Sequence, residues 1–272
     1  VPGWPGARPG QFALLQAAHS ACFLGRALSV ADQNGEEVSF LIAPVGAGTR
    51  ELAQVGPGAS VWVLGPLGNG FDLAAMGWAV SAHSGGGGTP GASGRLILVG
   101  GGVGVAPLPL LLRSATEGGG EGEAELLVLL GFRDRAQAGG EVPVRKAVED
   151  LPAARVRCRL EVALEDGSAG PPATVINLLE RELRPGDRLA VCGPWAMTEA
   201  VWRVCSTVPA VAAWFSLEAG MACGVGSCHG CAILLAGGKT ARVCHEGPVF
   251  AGEVLFGGAG RTPPVQAAGG AR

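Results

Sequence analysis

The chain has 272 residues, 48% of them hydrophobic and 16% charged, and a formal net charge of −3. That composition supplies apolar material for two domains, or for one domain with a smaller lobe, and excludes a wholly disordered chain. No Lys/Arg-rich run occurs anywhere, which argues against nucleic acid or an anionic membrane as the main partner.

The opening Val1-Pro2-Gly3-Trp4 has neither a charged stretch nor a long apolar one, so no signal peptide is expected. It also lacks an initiator Met, which leaves room for residues upstream. Residues 10–80 read as short strands punctuated by Gly and Pro: Gln11–Gln16, Arg26–Ala31, Glu37–Pro44 and Ser60–Leu64. Short strands joined by turns predict a small antiparallel barrel. Within it, Arg26-Ala27-Leu28-Ser29 lies on a strand, and Gly46-Ala47-Gly48-Thr49 follows the next one. Either segment alone reads as a solvated edge charge or a turn. Together on one barrel they suggest an anion site beside a flavin-facing strand. Arg26 would pair with phosphate. The Gly48 and Thr49 amides and the Thr49 hydroxyl would hold a pyrophosphate where a helix begins at Arg50. The low-complexity stretch Ser84–Ser93 reads as a linker or surface loop.

The pattern then changes. The uncharged run between Arg95 and Arg113 contains Pro107 and Pro109 and breaks into strand, turn and helix, whereas a membrane span is more uniform and longer. Strands are expected at Arg95–Gly100, Glu125–Gly131, Val156–Leu164 and Arg188–Cys192. Helices are expected from Pro107 and at Glu141–Leu151, Val175–Arg184 and Ala196–Val208. This alternation predicts a doubly wound parallel sheet. In Gly100-Gly101-Gly102-Val103-Gly104, Gly102 and Gly104 match the first two positions of a dinucleotide fingerprint, but Pro107 takes the third. A tight turn in a chain with 47 glycines is the competing reading. Cys192-Gly193-Pro194 ends the fourth strand, where ligands bind in such sheets, so Cys192 either lies near a nicotinamide or simply packs. Glu165-Asp166-Gly167-Ser168 ends the third strand and is either a ribose-binding turn or a solvated one.

Four of the eight cysteines (Cys22, Cys158, Cys192 and Cys205) are scattered, and four cluster near the C-terminus. That distribution predicts a reduced, cytoplasmic protein with one cofactor site, not a disulfide framework. Cys223, Cys228, Cys231 and Cys244 are spaced C-x4-C-x2-C, then twelve residues, then C. This is the plant-type arrangement for a [2Fe–2S] cluster. The rival reading is structural zinc, which favours C-x2-C pairs on both sides. His229 lies between two better ligands and is expected to be an exposed loop residue. A flavin is also expected on redox grounds: the cluster passes single electrons, a nicotinamide takes a hydride, and a flavin converts between them.

The motif order resembles the electron-transfer subunit family of class B (NAD-dependent) dihydroorotate dehydrogenase, within the ferredoxin-reductase-like superfamily. The matching segments are Arg8–Phe12, Arg26–Asp32, Gly46–Thr49, Leu64–Phe71, Gly100–Leu108, Gly131–Arg133, Cys192–Met197, Ser216–Glu218, Met221–Cys231 and Arg242–Phe250. The resemblance implies a small antiparallel FAD-binding barrel (1–92), a doubly wound parallel NAD-binding sheet (93–210), a C-terminal plant-type [2Fe–2S] lobe (211–256) and a flexible tail (257–272). It implies FAD at Arg26, Ala27, Leu28 and Ser29, at Leu41, Ile42 and Ala43, and at Gly48 and Thr49. NAD is placed by the residues at Gly100, Gly101, Gly102, Gly104, Cys192, Gly193 and Pro194. The implied partner is an FMN-containing dihydroorotate dehydrogenase catalytic subunit in a heterotetramer with two of each chain. Electrons in that family run from FMN through the cluster to FAD and then NAD, in pyrimidine synthesis. Related reductase subunits of hydrogenases or sulfite reductases share the same motifs, and a zinc-stapled binding module is the non-redox alternative. The chain departs from the family at Ala27-Leu28, where Arg-Pro-Phe-Ser or similar is usual, and at Ile42-Ala43, where Tyr-Arg is common. The family also has about two strands before the Arg8–Phe12 segment, which this chain lacks or which lie upstream of Val1.

Overall fold

The computed structural model describes residues 1–78, 95–117, 124–153, 156–168 and 170–257. The expected linker Ser84–Ser93 and the tail beyond Gly257 lie outside the described residues. The first sheet holds four antiparallel strands, β1 (Phe12–Ala17), β2 (Arg26–Asn34), β3 (Glu37–Phe40) and β4 (Val61–Leu67), in the order β3-β2-β1-β4. Alternation along β1 and β4 sends Ala13, Leu15, Val61 and Val63 into a small core with Val30 and Leu52. Trp62 and Leu64 face outward, 70% and 51% exposed. The third strand ends at Phe40, not at Pro44 as the sequence suggests. The Val45 N–H turns back onto the Ala43 carbonyl at 2.8 Å, a reversal around Pro44 that leaves no ladder to continue. Helix α1 (Ala47–Ala53) follows.

The second sheet is parallel through β5 (Leu96–Gly101), β6 (Ala124–Phe132), β7 (Val156–Leu164), β8 (Arg188–Cys192) and β9 (Ala212–Ser216). Helices α2 (Leu108–Thr116), α3 (Glu141–Glu149), α4 (Val175–Glu182) and α5 (Trp195–Cys205) cover both faces. This explains why the central strand β5 reads as an unbroken apolar run, whereas the edge strand β7 alternates apolar with charged residues. Leu96 and Leu98 pack with α2 and α3 residues such as Leu111 and Val144. Ile97 and Val99 pack with Leu179 and Val201 on the other side.

The cysteine lobe carries a two-stranded hairpin, β10 (Ala232–Leu234) and β11 (Thr240–Arg242). The chain then returns as β12 (Val249–Ala251), antiparallel to β9, and ends in α6 (Gly252–Phe256). The full order is β12-β9-β8-β5-β6-β7. Two strands that the sequence reading left in the lobe therefore belong to the sheet by hydrogen bonding. The physical reason is that Phe215 and Ala213 bury beside β8, where an open edge accepts them.

Polar contacts bridge the two sheets at several places among the described residues. Arg113 on α2 pairs with Asp32 at 2.6 Å and donates to the Gln33 carbonyl at 2.7 Å. Asn69, after β4, donates to the carbonyls of Glu246 (3.0 Å) and Val249 (2.9 Å) and accepts the Val249 N–H at 3.1 Å. Among the described residues no helix is long and apolar enough to cross a membrane.

Candidate functional site

The order β7-β6-β5-β8-β9 reverses direction between β5 and β8, so a crevice opens beyond their carboxyl ends. The Gly100–Gly104 turn and Cys192-Gly193-Pro194 meet there. A Cβ on Gly104 would stand 2.6 Å from the Cys192 carbonyl oxygen and 2.6 Å from Gly193 Cα, so only glycine lets the two loops touch. By contrast, Gly101 and Gly193 meet the flexible end of the Met197 side chain, which can give way. Gly102 instead has φ +54° and faces open space. A 3-10 turn, Gly102–Val105, separates this loop from α2, which begins at Leu108 with Pro107 as its cap. Pro194 caps α5. At the end of β7, the Glu165 and Asp166 N–H groups donate to the carbonyls of Phe132 and Arg133, both at 3.0 Å. The acidic turn is thus tied to the same carboxyl edge of the sheet.

A cleft of about 200 Å³ joins this crevice to the barrel, lined by Ala27, Leu28 and Ser29 of β2, by Leu41, and by Gly104 and Cys192. Its floor continues through Glu218 to Met221, two residues before the first cysteine of the lobe. The sequence reading missed Glu218 and Met221 as cleft residues, since no spacing signals them. Burial, then the Glu218 charge, push the Cys192 thiol up to about 12 against the opposing Ser216 hydrogen bond. Cys192 is therefore a neutral, polarisable wall. Glu218 reaches solvent at the cleft mouth, yet the dense protein around it raises its carboxyl above the ordinary value by desolvation.

On the barrel, Arg26 Nη2 donates to the Leu24 carbonyl at 2.6 Å. Its Nε is buried and has no hydrogen-bond partner. Gly48 lies directly beneath it, where a Cβ would be 2.7 Å from Nε. A buried guanidinium N–H without an acceptor, over a bare glycine, suits a phosphate oxygen. Two expectations are corrected here. The helix begins at Ala47, not Arg50. The Thr49 hydroxyl accepts the Gly46 N–H at 2.9 Å and donates to the Gly46 carbonyl at 3.1 Å, so it closes the first turn. Of Leu41, Ile42 and Ala43, only Leu41 lines the cleft; Ile42 packs on the barrel core, and Ala43 makes the reversal before the helix. The cleft walls and the orphaned Arg26 fit a flavin nucleotide.

In the lobe, the loop from Cys223 to Cys231 bends through left-handed conformations at Gly224 (φ +68°), Gly226 (φ +82°) and His229 (φ +57°). His229 is exposed, as expected. The bends aim N–H groups at sulfur: Gly226 to Cys244 Sγ (3.1 Å), Cys228 to Cys223 Sγ (3.4 Å), Cys244 to Cys231 Sγ (3.4 Å) and Gly230 to Cys228 Sγ (3.5 Å). N–H groups of Cys228 and Val225 hold the Cys223 thiol down to about 6. Burial and the adjacent Cys231 thiol push Cys244 the other way. The Cys231 and Cys244 sulfurs stand 3.2 Å apart, and the free Cys223 thiol is hydrogen-bonded with Cys228, so the thiols form two pairs. Among the described residues no three His, Cys, Asp or Glu side chains gather round one ion position. Two pairs suit two irons sharing sulfides, each taking two thiolates, better than one tetrahedral zinc.

Residues 218–256 match the iron-sulfur cluster binding domain of dihydroorotate dehydrogenase B. The chain is 33% identical over 249 residues to the dihydroorotate dehydrogenase B (NAD(+)) electron transfer subunit of Clostridium acetobutylicum, covering 92% of this chain and 86% of that one. It is 36% identical over 255 residues to the Bacillus caldolyticus subunit of the same name, covering 92% and 87%. Among solved structures it resembles an NADH-dependent reduced ferredoxin-NADP oxidoreductase, with TM-score 0.67, 28% identity, and coverage of 92% of this chain and 79% of that one. An Amycolatopsis cytochrome P450 reductase shares the fold at TM-score 0.53 and 22% identity, covering 74% and 57%. The chain belongs to the family of dihydroorotate dehydrogenase B (NAD(+)) electron transfer subunits.

Proposed function

We propose that the chain carries electrons between a dihydroorotate dehydrogenase catalytic subunit and NAD, with FAD in the cleft and a [2Fe–2S] cluster on the four cysteines. The observation that carries this reading is that one cleft gathers Ala27–Ser29, Leu41, Gly104 and Cys192 and runs on to Met221 beside the cysteine loop. The family names favour this partner over a hydrogenase or a sulfite reductase. When bound, FAD exchanges hydride with nicotinamide and single electrons with the cluster.

The chain's own residues then have definite tasks. Arg26 Nε donates to a phosphate oxygen and ends its burial without a partner. Ala27, Leu28 and Ser29 present a low wall to the flavin. The Gly102 turn leaves backbone exposed for the dinucleotide phosphates, and Gly104 brings the Cys192 loop close enough to shape the nicotinamide pocket. Neutral Cys192 gives that pocket an apolar surface and excludes water. Cys223, Cys228, Cys231 and Cys244 ligate iron. Cys228 is exposed, so the cluster edge is reachable by a docked partner.

We assign flavin binding to residues 1–92, nicotinamide binding to 93–210 together with the sheet strands β9 and β12, and the cluster to the rest of 211–256. The FMN in the partner, the heterotetramer of two of each chain and the cytoplasmic location rest on family resemblance. The eight free cysteines agree with a reducing compartment. A visible spectrum with iron, sulfide and flavin quantified tests the reading: flavin and iron–sulfur bands are expected. Cys223→Ser should abolish partner-to-NAD transfer while leaving FAD bound, and loss of FAD in that variant would count against separate sites.

A further inference from the structure

Arg242 at the end of β11 contacts neither the cleft nor any of the four thiols by hydrogen bond, yet its side chain is organised toward the cysteine loop. Nη1 donates to the Gly226 carbonyl at 2.8 Å. Nε donates to Glu246 Oε2 at 3.1 Å, and Nη2 bonds to Glu246 Oε1. The same carboxylate accepts the Arg242 backbone N–H at 2.7 Å, so the guanidinium is locked on its own strand. Gly226 carries the complementary contact, because its N–H donates to Cys244 Sγ at 3.1 Å. The N–H and carbonyl of Gly226 belong to successive peptide planes joined at one Cα with φ +82°. A Cβ there would sit 3.0 Å from His245 Cβ, so the residue is boxed in as well as bent. One plane is clamped by Arg242, and the other points at a ligand sulfur.

We propose that Arg242 is a positioning residue for the cluster: through the Gly226 carbonyl it keeps the Gly226 N–H on the Cys244 sulfur, and so raises the cluster's reduction potential. The inference rests on the reading that the four cysteines hold a [2Fe–2S] cluster. Reduction adds one electron and one negative charge and makes or breaks no bond. An N–H aimed at a ligand sulfur stabilises that added charge. The guanidinium charge acts in the same direction, so a test has to separate charge from geometry. Lys keeps the charge but lacks the planar fork that spans Gly226 and Glu246 together.

The experiment uses the whole chain loaded with FAD and cluster, titrated with dithionite and followed by electron paramagnetic resonance. Iron and sulfide in the wild-type chain are measured first, and their absence would sink the cluster reading and this inference with it. With the cluster present, both Arg242→Gln and Arg242→Lys should lower its potential, with flavin content unchanged. Pulsed resonance should show a weakened coupling to one exchangeable proton in both variants. Potentials equal to wild type in Arg242→Gln would overturn the proposal. So would a wild-type potential in Arg242→Lys beside a lowered one in Arg242→Gln, which would mean that charge alone acts. Failure of both variants to hold any cluster, with FAD retained, would also overturn it by making Arg242 a requirement of the loop's fold.

Discussion

Arg26→Gln tests the flavin site where the structure is most specific. In the chain alone, Arg26 Nε is buried without an acceptor, an arrangement that costs about 1–3 kcal/mol. Bound phosphate would supply the acceptor through a charge-assisted bond worth about 1.5–3 kcal/mol. Replacement by Gln should therefore raise the FAD dissociation constant by roughly 10- to 150-fold. The flavin-free protein should lose little stability, because removal of the unpaired Nε–H offsets loss of the exposed Leu24 contact. A residue that merely props the barrel would show the opposite pattern. Gly48→Ala should also weaken FAD, since its Cβ would sit 2.7 Å from Nε and displace the guanidinium. That effect should shrink in the Arg26→Gln background, because both changes act through one side chain. The assay is fluorescence titration of flavin-free protein with FAD, paired with urea unfolding of the same protein. An affinity within about twofold of wild type, or flavin-free Arg26→Gln destabilised by more than about 1 kcal/mol, would refute the reasoning.

Other outcomes follow from separate parts of the molecule. Gly104→Ala puts a Cβ 2.6 Å from backbone atoms of Cys192 and Gly193. It should cost about 1–3 kcal/mol by overpacking and slow flavin reduction by NADH, while reduction by dithionite is unchanged; stopped-flow absorbance reads both. Arg95 and Asp187 are 6% and 3% exposed and bonded at 2.9 Å. Asp187→Asn should cost about 1.5–3 kcal/mol in urea unfolding, because the buried guanidinium loses its nearest carboxylate while Glu182 at 3.6 Å and Glu125 at 3.9 Å still face it. In iron-free protein, Cys223 should alkylate with a midpoint near 6, well below the ordinary thiol value of 9.0. Its reactive thiolate is present above that pH and lost as pH falls through it. Cys158, pushed up to about 11 by burial, should lag behind. Peptide mapping after a short iodoacetamide pulse checks this, and a Cys223 midpoint near 9 would show that the loop amides do not reach its sulfur.

Much of the site was legible in the sequence where its parts are local. Three of the proposed cluster ligands sit within nine consecutive residues, Cys223 to Cys231, so their spacing already encodes the loop. The strands Val156–Leu164 and Arg188–Cys192 have the bounds that the sequence suggests, the second because a strand covered on both faces demands apolar residues throughout, the first because its apolar residues alternate with charged ones along a sheet edge. What the sequence did not reveal depends on partners distant along the chain. Thr49 spends its hydroxyl on Gly46, and Ile42 turns into the barrel core; neither choice is visible until the helix and the barrel compete for those side chains. The edge strand Val249–Ala251 is only three residues long and acquires meaning by pairing with Trp214–Ser216.

By itself, then, the sequence determined the spacing of the four clustered cysteines, the alternation of strands and helices, and the glycine turn, since each is a short-range pattern dictated by bond geometry or burial period. Only the tertiary structure decided that Ala27–Ser29, Leu41, Gly104, Cys192 and Glu218 share one cleft. These residues span 192 positions, Ala27 to Glu218 inclusive. Only the packing of barrel, sheet and lobe, held by contacts such as Asn69 with Val249 and Arg113 with Asp32, brings them within reach of one another.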